Sequence, residues 1–417
     1  MRCASGLYWP MVSSMSDPMT PTGSAATANP AARTGGALRR MTARSRSEEH
    51  RASTPLELFF DLCFVVAVAQ AGGRLVHAVA EGNVGHGMAG YLMIFFSIWW
   101  AWMNFSWFAS AYDTDDVAYR VTTLVQIVGV LMLAAGVPRA FDANDFRLTA
   151  TGYAVMRLAL VTQWLRAARA EDGRARATAL RYAAGVTACQ VGWLALLLPH
   201  GVPPVWAFVL LAVAEMAVPP LAERSAPTSW HPQHIAERYG LFTIIVLGES
   251  VSAATVAVQS AVDEHQALSD LLPIAAGGLL IVFAAWWIYF AVPIHDHLAS
   301  NREAFLWGYG HFAVFTSAAA IGAGLEVAVE QAVGQADISV REASAWVTVP
   351  AGVFLLTVWL LHSRHYKRGL AQQLTLPVAA LAVVACTFGG SHAVLWAGLV
   401  CAVTVAVGVS LQERSPA

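Results

Sequence analysis

Residues 54–61 read TPLELFFD and run straight into LCFVVAVA, so two carboxylates, Glu57 and Asp61, stand in the first two turns of a helix otherwise fit for lipid. Glu57 has a local use. Thr54 is a ready N-cap, Pro55 suits the first helical position, and an acid three residues past the cap reaches back to the cap amide. Asp61 has no such use: it lies one turn on, on nearly the same face, where like charges repel. An ionisable group in a membrane span costs about 2.5–3.5 kcal/mol at mid-helix, so each needs a partner or a purpose. Glu249, in LFTIIVLGESVSAATV, meets that description best. It lies about 18 Å along the helix axis from Glu237 at a rise of 1.5 Å per residue, near a bilayer's middle. Gly248 and Ser252 beside it are spaced for a neighbouring helix to approach closely. Burial favours the protonated form of a carboxylate, which is what a proton carrier needs. The competing reading is an ion pair, with Arg157 as partner.

Arg157, in YAVMRLALV, stays charged and must face an acid, carbonyls or water. A structural salt bridge is its expected role, with Glu215 and Glu326 as further acids on other helices. His311, in WGYGHFAVF, either shuttles protons near neutral pH or hydrogen-bonds a neighbouring helix. His311, Phe315, Ala318 and Gly322 fall on one stripe that becomes small toward one end, as a packed interface needs. His231, His234, His295, His297, His362, His365 and His50 gather on one predicted side, but HPQH and HDH match no closed zinc site, so no metal is expected. Five cysteines without paired spacing read as packing residues. There is no phosphate loop, nucleophile elbow, HExxH or potassium-channel filter motif, and no cofactor is expected.

The elements that must hold these residues are membrane helices. Of 417 residues 57% are hydrophobic and 12% charged, with a mean hydropathy of +0.54, against about 25% charged in soluble proteins. The net charge of −2 points to no nucleic acid. Windows of about 20 apolar residues place twelve helices near 55–79, 88–111, 117–138, 147–168, 177–199, 203–222, 234–259, 270–293, 303–330, 344–363, 370–388 and 391–411. The expected fold is an all-α polytopic integral membrane protein, with residues 1–50 a disordered, Ala-, Ser- and Pro-rich tail. With the N-terminus in the cytoplasm, twenty of the 25 basic residues fall on the inner side, so both termini are expected inside.

The chain also echoes itself. ELFFDLCFVVAVAQ at 57–70 aligns with ERYGLFTIIVLGES at 237–250, the tryptophans of FSIWWAW with those of AAWWIYF, and WLRAAR with WLLHSR. The offsets predict two parallel six-helix repeats, 51–222 and 223–417, about an axis along the membrane normal. Asp61 has no counterpart, since Leu241 takes its place.

TPLELFFDLCFVVAVAQ, ERYGLFTIIVLGESV, AAWWIYF and GYGHFAVFTSAAAIGAGLE together resemble the bacterial low temperature requirement protein A family, over about residues 51–411. Carried over position by position, its blocks fall on Glu57, Asp61, Glu237, Arg238, Gly248, Glu249 and His311. The resemblance implies a polytopic bacterial membrane protein and growth in the cold, with no established substrate, reaction or cofactor.

Three functions follow as expectations. A secondary transporter in the bacterial cytoplasmic membrane, coupled to protons and moving a small solute, would use Asp61, Arg157, Glu249 and His311 along its pathway, with Glu57, Glu237 and Arg238 as caps or ion pairs. A membrane-embedded enzyme acting on an apolar substrate would need Asp61, Glu249 and His311 to converge. A non-catalytic component supporting growth in the cold would need none of them to move.

Overall fold

The structure, a computed structural model, describes residues 38–46, 48, 51–200, 204–263, 268–367 and 369–413. The disorder expected of residues 1–37, and the positions of His50 and Arg414, lie outside the described residues. All twelve expected helices are present, and no strand occurs among the described residues. They are α1 Pro55–Ala80, α2 Val84–Tyr112, α3 Val117–Asp142, α4 Arg147–Ala170, α5 Gly173–His200 and α6 Val205–Ala222. Then come α7 Pro232–Asp263, α8 Leu268–Phe290, α9 Asn301–Ala332, α10 Val340–Val358, α11 Leu370–Ala385 and α12 Ala393–Glu413. A π turn, Trp359–Ser363, carries α10 on to Tyr366.

Among the described residues, nine helices are long and apolar enough to cross a membrane. The other three are α4, α5 and α7; α4 carries Arg157 in its interior, and α7 carries Arg238 and Glu249. Arg157, Arg238 and Glu249 lower the hydropathy of α4 and α7, whereas in α5 the charges are Arg174, Arg176 and Arg181 near its start.

The capping signals act as their residues dictate. The Glu57 amide donates to Thr54 Oγ1 at 3.3 Å, and Glu57 Oε2 accepts from the Thr54 amide at 2.7 Å. Ser300 with Glu303 and Ser339 with Glu342 form the same reciprocal box at the starts of α9 and α10, each satisfying two otherwise orphaned donors.

Packing follows chain order in each half. α1 packs on α2 and α3, α3 on α4, α4 on α5, and α5 on α6; α7 packs on α8 and α9, α9 on α10, α10 on α11, and α11 on α12. Glycine sets the closest approaches. A methyl at Gly129 of α3 would lie 2.7 Å from the Gly152 carbonyl oxygen of α4, and one at Gly324 of α9 would strike the Trp346 carbonyl of α10. The connectors meet at two faces. On the face where α1 begins, the Trp230 indole donates to Asn301 Oδ1 at 2.9 Å and the Thr178 hydroxyl to the Ala226 carbonyl at 3.0 Å. On the opposite face Arg74 pairs with Asp142 at 2.9 Å.

Residues 39–41, placed by the sequence in a disordered tail, make defined contacts. The Arg39 amide donates to Asp116 Oδ2 at 2.7 Å, Arg40 to the Ala170 carbonyl at the end of α4, and Met41 is buried. Arg51 donates to the Ala109 and Ser110 carbonyls that end α2. Arginines laid on helix C-termini are favoured by the helix dipole, and the tail's basic composition is what docks it.

The sequence places a close contact at Gly248 and Ser252, and the structure moves it. Gly248 faces open space and Ser252 is exposed. Ser250 faces α9 instead, its hydroxyl donating to the Ala318 carbonyl at 3.1 Å, with Gly322 against it. The spacing is right; the phase differs, because two residues along a helix turn the face by about 200°.

Candidate functional site

The first cluster joins the starts of α1 and α7. Glu57 and Asp61 are one turn apart on α1, His234 and Arg238 one turn apart on α7, and all four side chains are fully buried. The pairing rises in register along both helices, as parallel neighbours require. Glu57 lies 3.3 Å from His234 Nε2 and 3.2 Å from Arg238 Nη1. Asp61 accepts from Arg238 Nε at 2.9 Å and again from Nη2. The Trp102 indole of α2 donates to Asp61 Oδ1 at 2.7 Å. Glu57 and Asp61 therefore sit at repelling spacing because one guanidinium lies between them. A fork of donors facing two carboxylates is a geometry that arginine, not lysine, supplies. Glu237 faces the connector, accepting the Ser53 amide at 3.1 Å.

Two carboxylates against one guanidinium leave a deficit of one positive charge, which a protonated His234 would fill. The cluster reaches the surface through a further alternation of charge. Asp113, just past α2, is buried beside Arg44 at 3.3 Å, and Arg44 pairs with Glu48 at 2.7 Å. Burial pushes the Asp113 carboxyl up to about 6, and the negative charge of Glu57 adds to that.

On its deep side the cluster ends in aromatic rings. Trp102 stacks on Phe242 at 4.4 Å, and Phe242 meets Phe315 at 4.9 Å. Beyond them the sequence-predicted residues part company. Glu249 lies about 16 Å past Arg238 along α7 at 1.5 Å per residue. It is half-buried, with no hydrogen-bond or ion-pair partner among the described residues. His311 is buried, its Nδ1 2.8 Å from the Trp307 carbonyl and its Nε2 3.0 Å from the Tyr289 hydroxyl. A carbonyl only accepts, so Nδ1 carries the proton and Nε2 accepts from Tyr289. The stripe read from the sequence is a packed interface: Phe315, Ala318 and Gly322 are all buried.

The second cluster lies in the first half. Arg157 pairs with Glu215 of α6 at 3.6 Å, both buried, and not with Glu249. Tyr153, one turn before Arg157, donates its hydroxyl to Glu215 and lies under the guanidinium, 5.5 Å from it. Both acids are plausible in sequence because both sit within spans; α6 packs beside α5 next to α4, whereas α7 belongs to the other group of helices. Glu326 is half-buried on α9, one turn from Glu330.

A family model for the bacterial low temperature requirement A protein (LtrA) matches residues 52–410. The chain belongs to the LtrA family. An uncharacterized protein of Rhizobium meliloti (strain 1021) is 26% identical to it over 299 residues, covering 65% of this chain and 68% of that one. The two sequence blocks that carry the resemblance, ELFFDL and ERYGLFTIIVLGES, are the two sides of the first cluster. In this LtrA family member the blocks meet through Glu57, Asp61 and Arg238. From the sequence His234 stood only among the clustered histidines, not as a partner of Glu57, and Trp102 was missed. The signal for His234 was there: His234 and Arg238 share the one-turn spacing of Glu57 and Asp61.

Proposed function

We propose that this LtrA family member is a secondary transporter of a small solute, coupled to protons. The observation that carries the reading is the buried Glu57–Asp61–His234–Arg238 ladder. It holds one acid more than its arginine neutralises, is linked to one face of the molecule by charged groups, and is shut off by the Trp102–Phe242–Phe315 rings from the acids Glu249, Glu326 and Glu330 beyond. Protonatable groups on both sides of an apolar plug are what a carrier needs to take up a proton on one side and release it on the other. The matched order of packing in the two groups of six helices supports a parallel repeat, and the basic residues on the face where α1 begins support both termini in the cytoplasm of a bacterial inner membrane.

The enzyme reading has the geometry against it. Asp61 and His311 share no hydrogen bond and are separated by the Trp102 and Tyr239 rings. Glu249 stands far beyond the roughly 3 Å reach of acid–base chemistry from Asp61.

Proteoliposomes holding a pH-sensitive dye test the proposal. Under an imposed membrane potential, one member of a panel of amino acids, sugars, cations and amphiphiles should drive proton flux, and Asp61→Asn and Glu249→Gln should each lower it at least tenfold. Wild-type flux in Asp61→Asn removes the ladder from the pathway.

A further inference from the structure

Between α2, α6 and α9 runs an open groove of about 720 Å³, lined by Met93, Phe96, Trp99, Phe208, Ala212 and Phe312 among other apolar side chains. It spans from the Val84 and Val205 ends of α2 and α6 to Tyr309 and Met216 near the other face. All three helices are long and apolar enough to cross a membrane, so the medium at its mouth is hydrocarbon. The volume is that of a small-molecule site.

Behind it lies a second, smaller space. Met93 and Phe208 also line a chamber of about 20 Å³ that is walled by Thr149, Tyr153 and Trp193, room for one water-sized group. Phe208 stands between the two, 5.8 Å from the Phe96 ring on one side and 4.9 Å from the Trp193 ring on the other. The Thr149 hydroxyl and Trp193 indole are buried and have no hydrogen-bond partner. Tyr153 leads on to the Arg157–Glu215 pair, where Arg157 Nε and Nη1 and Glu215 Oε1 are also without a hydrogen bond. Unpaired buried donors cost free energy that a ligand with acceptors recovers. The Thr149 hydroxyl and the Trp193 indole can both donate into the chamber, and it is small, so a compact acceptor matches it.

We propose that groove and chamber together bind a single-chain carboxylate amphiphile. Its tail lies between α2, α6 and α9, and one oxygen of its carboxylate passes Phe208 to meet Thr149 and Trp193. This rests on the transport reading for its purpose, naming the substrate class, but not for its test.

The test is equilibrium binding of cis-parinaric acid and its methyl ester to the full chain in nanodiscs, with empty nanodiscs subtracted. The acid should bind at least tenfold tighter than the ester. Ala212→Trp, which fills the groove, should weaken both at least tenfold. Trp193→Phe and Thr149→Val, conservative in shape, should erase the acid's advantage and leave the ester's affinity unchanged. Butyrate should not displace the acid. Equal affinity of acid and ester, indifference to Ala212→Trp, or displacement by butyrate would each overturn the proposal. Acid-selective binding without proton flux would retire transport and leave the site; flux without acid-selective binding would retire the site alone.

Discussion

Two helix pairs at corresponding places in the chain, α2 with α6 and α8 with α12, meet in opposite ways. In the second half Gly277 of α8 and Gly398 of α12 face each other, and a methyl on Gly398 would lie 2.6 Å from the Gly277 carbonyl oxygen. In the first half Met93, Phe96, Phe208 and Ala212 hold α2 and α6 apart, and the groove opens between them. The tryptophan pairs reverse the contrast. Trp99 and Trp100 of α2 are 1% and 0% exposed, whereas Trp286 and Trp287 of α8 are 48% and 50% exposed. The half that packs its aromatics inward holds the widest of these openings, about 720 Å³ against about 250 Å³ beside Val292 and Gly408 and about 180 Å³ beside Ile274 and Val394, because rings do not interdigitate as closely as glycine backbones do. The half with the glycine contact turns its aromatics to lipid.

The largest effect should come from the charges that join the halves. Arg238→Leu leaves Glu57 and Asp61 buried together without their cation, and removing one partner of a buried pair costs about 3–5 kcal/mol. Thermal unfolding in detergent should show that loss, and Asp61→Asn in the same background should recover part of it. No recovery would mean that Arg238 holds α7 by packing alone. Of similar size is Trp100→Ala, expected to cost about 3–5 kcal/mol as a large buried aromatic. Trp287→Ala, half-exposed, should cost well under half as much. Equal losses from the two would erase the contrast between the tryptophan pairs.

The glycine contact is the sharper probe of the helix pairs. Gly398→Val drives a side chain into the α8 backbone, and overpacking of this kind costs about 1–3 kcal/mol or more. Ala89→Leu, which adds bulk to the wall of the open groove, should change stability by less than about 0.5 kcal/mol while lowering amphiphile binding. A Gly398→Val protein as stable as wild type would show that α8 and α12 have the same slack as α2 and α6.

The twelve helices and the Thr54–Glu57 box were legible because each rests on residues close in the chain. The partner of Asp61 was not, since Arg238 is 177 residues away, and nothing local distinguishes it from other arginines near a helix start. Arg157 was read as paired, with Glu249, Glu215 and Glu326 all left as candidates, because a span's hydropathy places an acid in the membrane without saying which helix lies beside it. The WW dipeptides are identical in sequence and opposite in exposure. What decides them is the position of Gly277 and Gly398, whose meaning appears only when α8 and α12 touch.

A change of pH separates the charged entrance of the first half from the rest of the molecule. Asp113 titrates at about 6 in the folded chain because burial disfavours its charge, against about 3.9 for a free aspartate. A raised carboxyl contributes stability that is fully present below the unfolded value and is lost as pH rises through about 6. That value already includes the lowering by Arg44 and Arg51, so on the order of 3 kcal/mol should disappear between about pH 4 and 6, since one pKa unit is worth about 1.4 kcal/mol. Asp113→Asn has no proton to lose. Its unfolding temperature, relative to wild type, should therefore rise across that interval and stay level above it. Parallel curves for the two proteins would mean that water already reaches Asp113, and that the entrance to the ladder stands open where the contacts of Arg44 and Arg51 now close it.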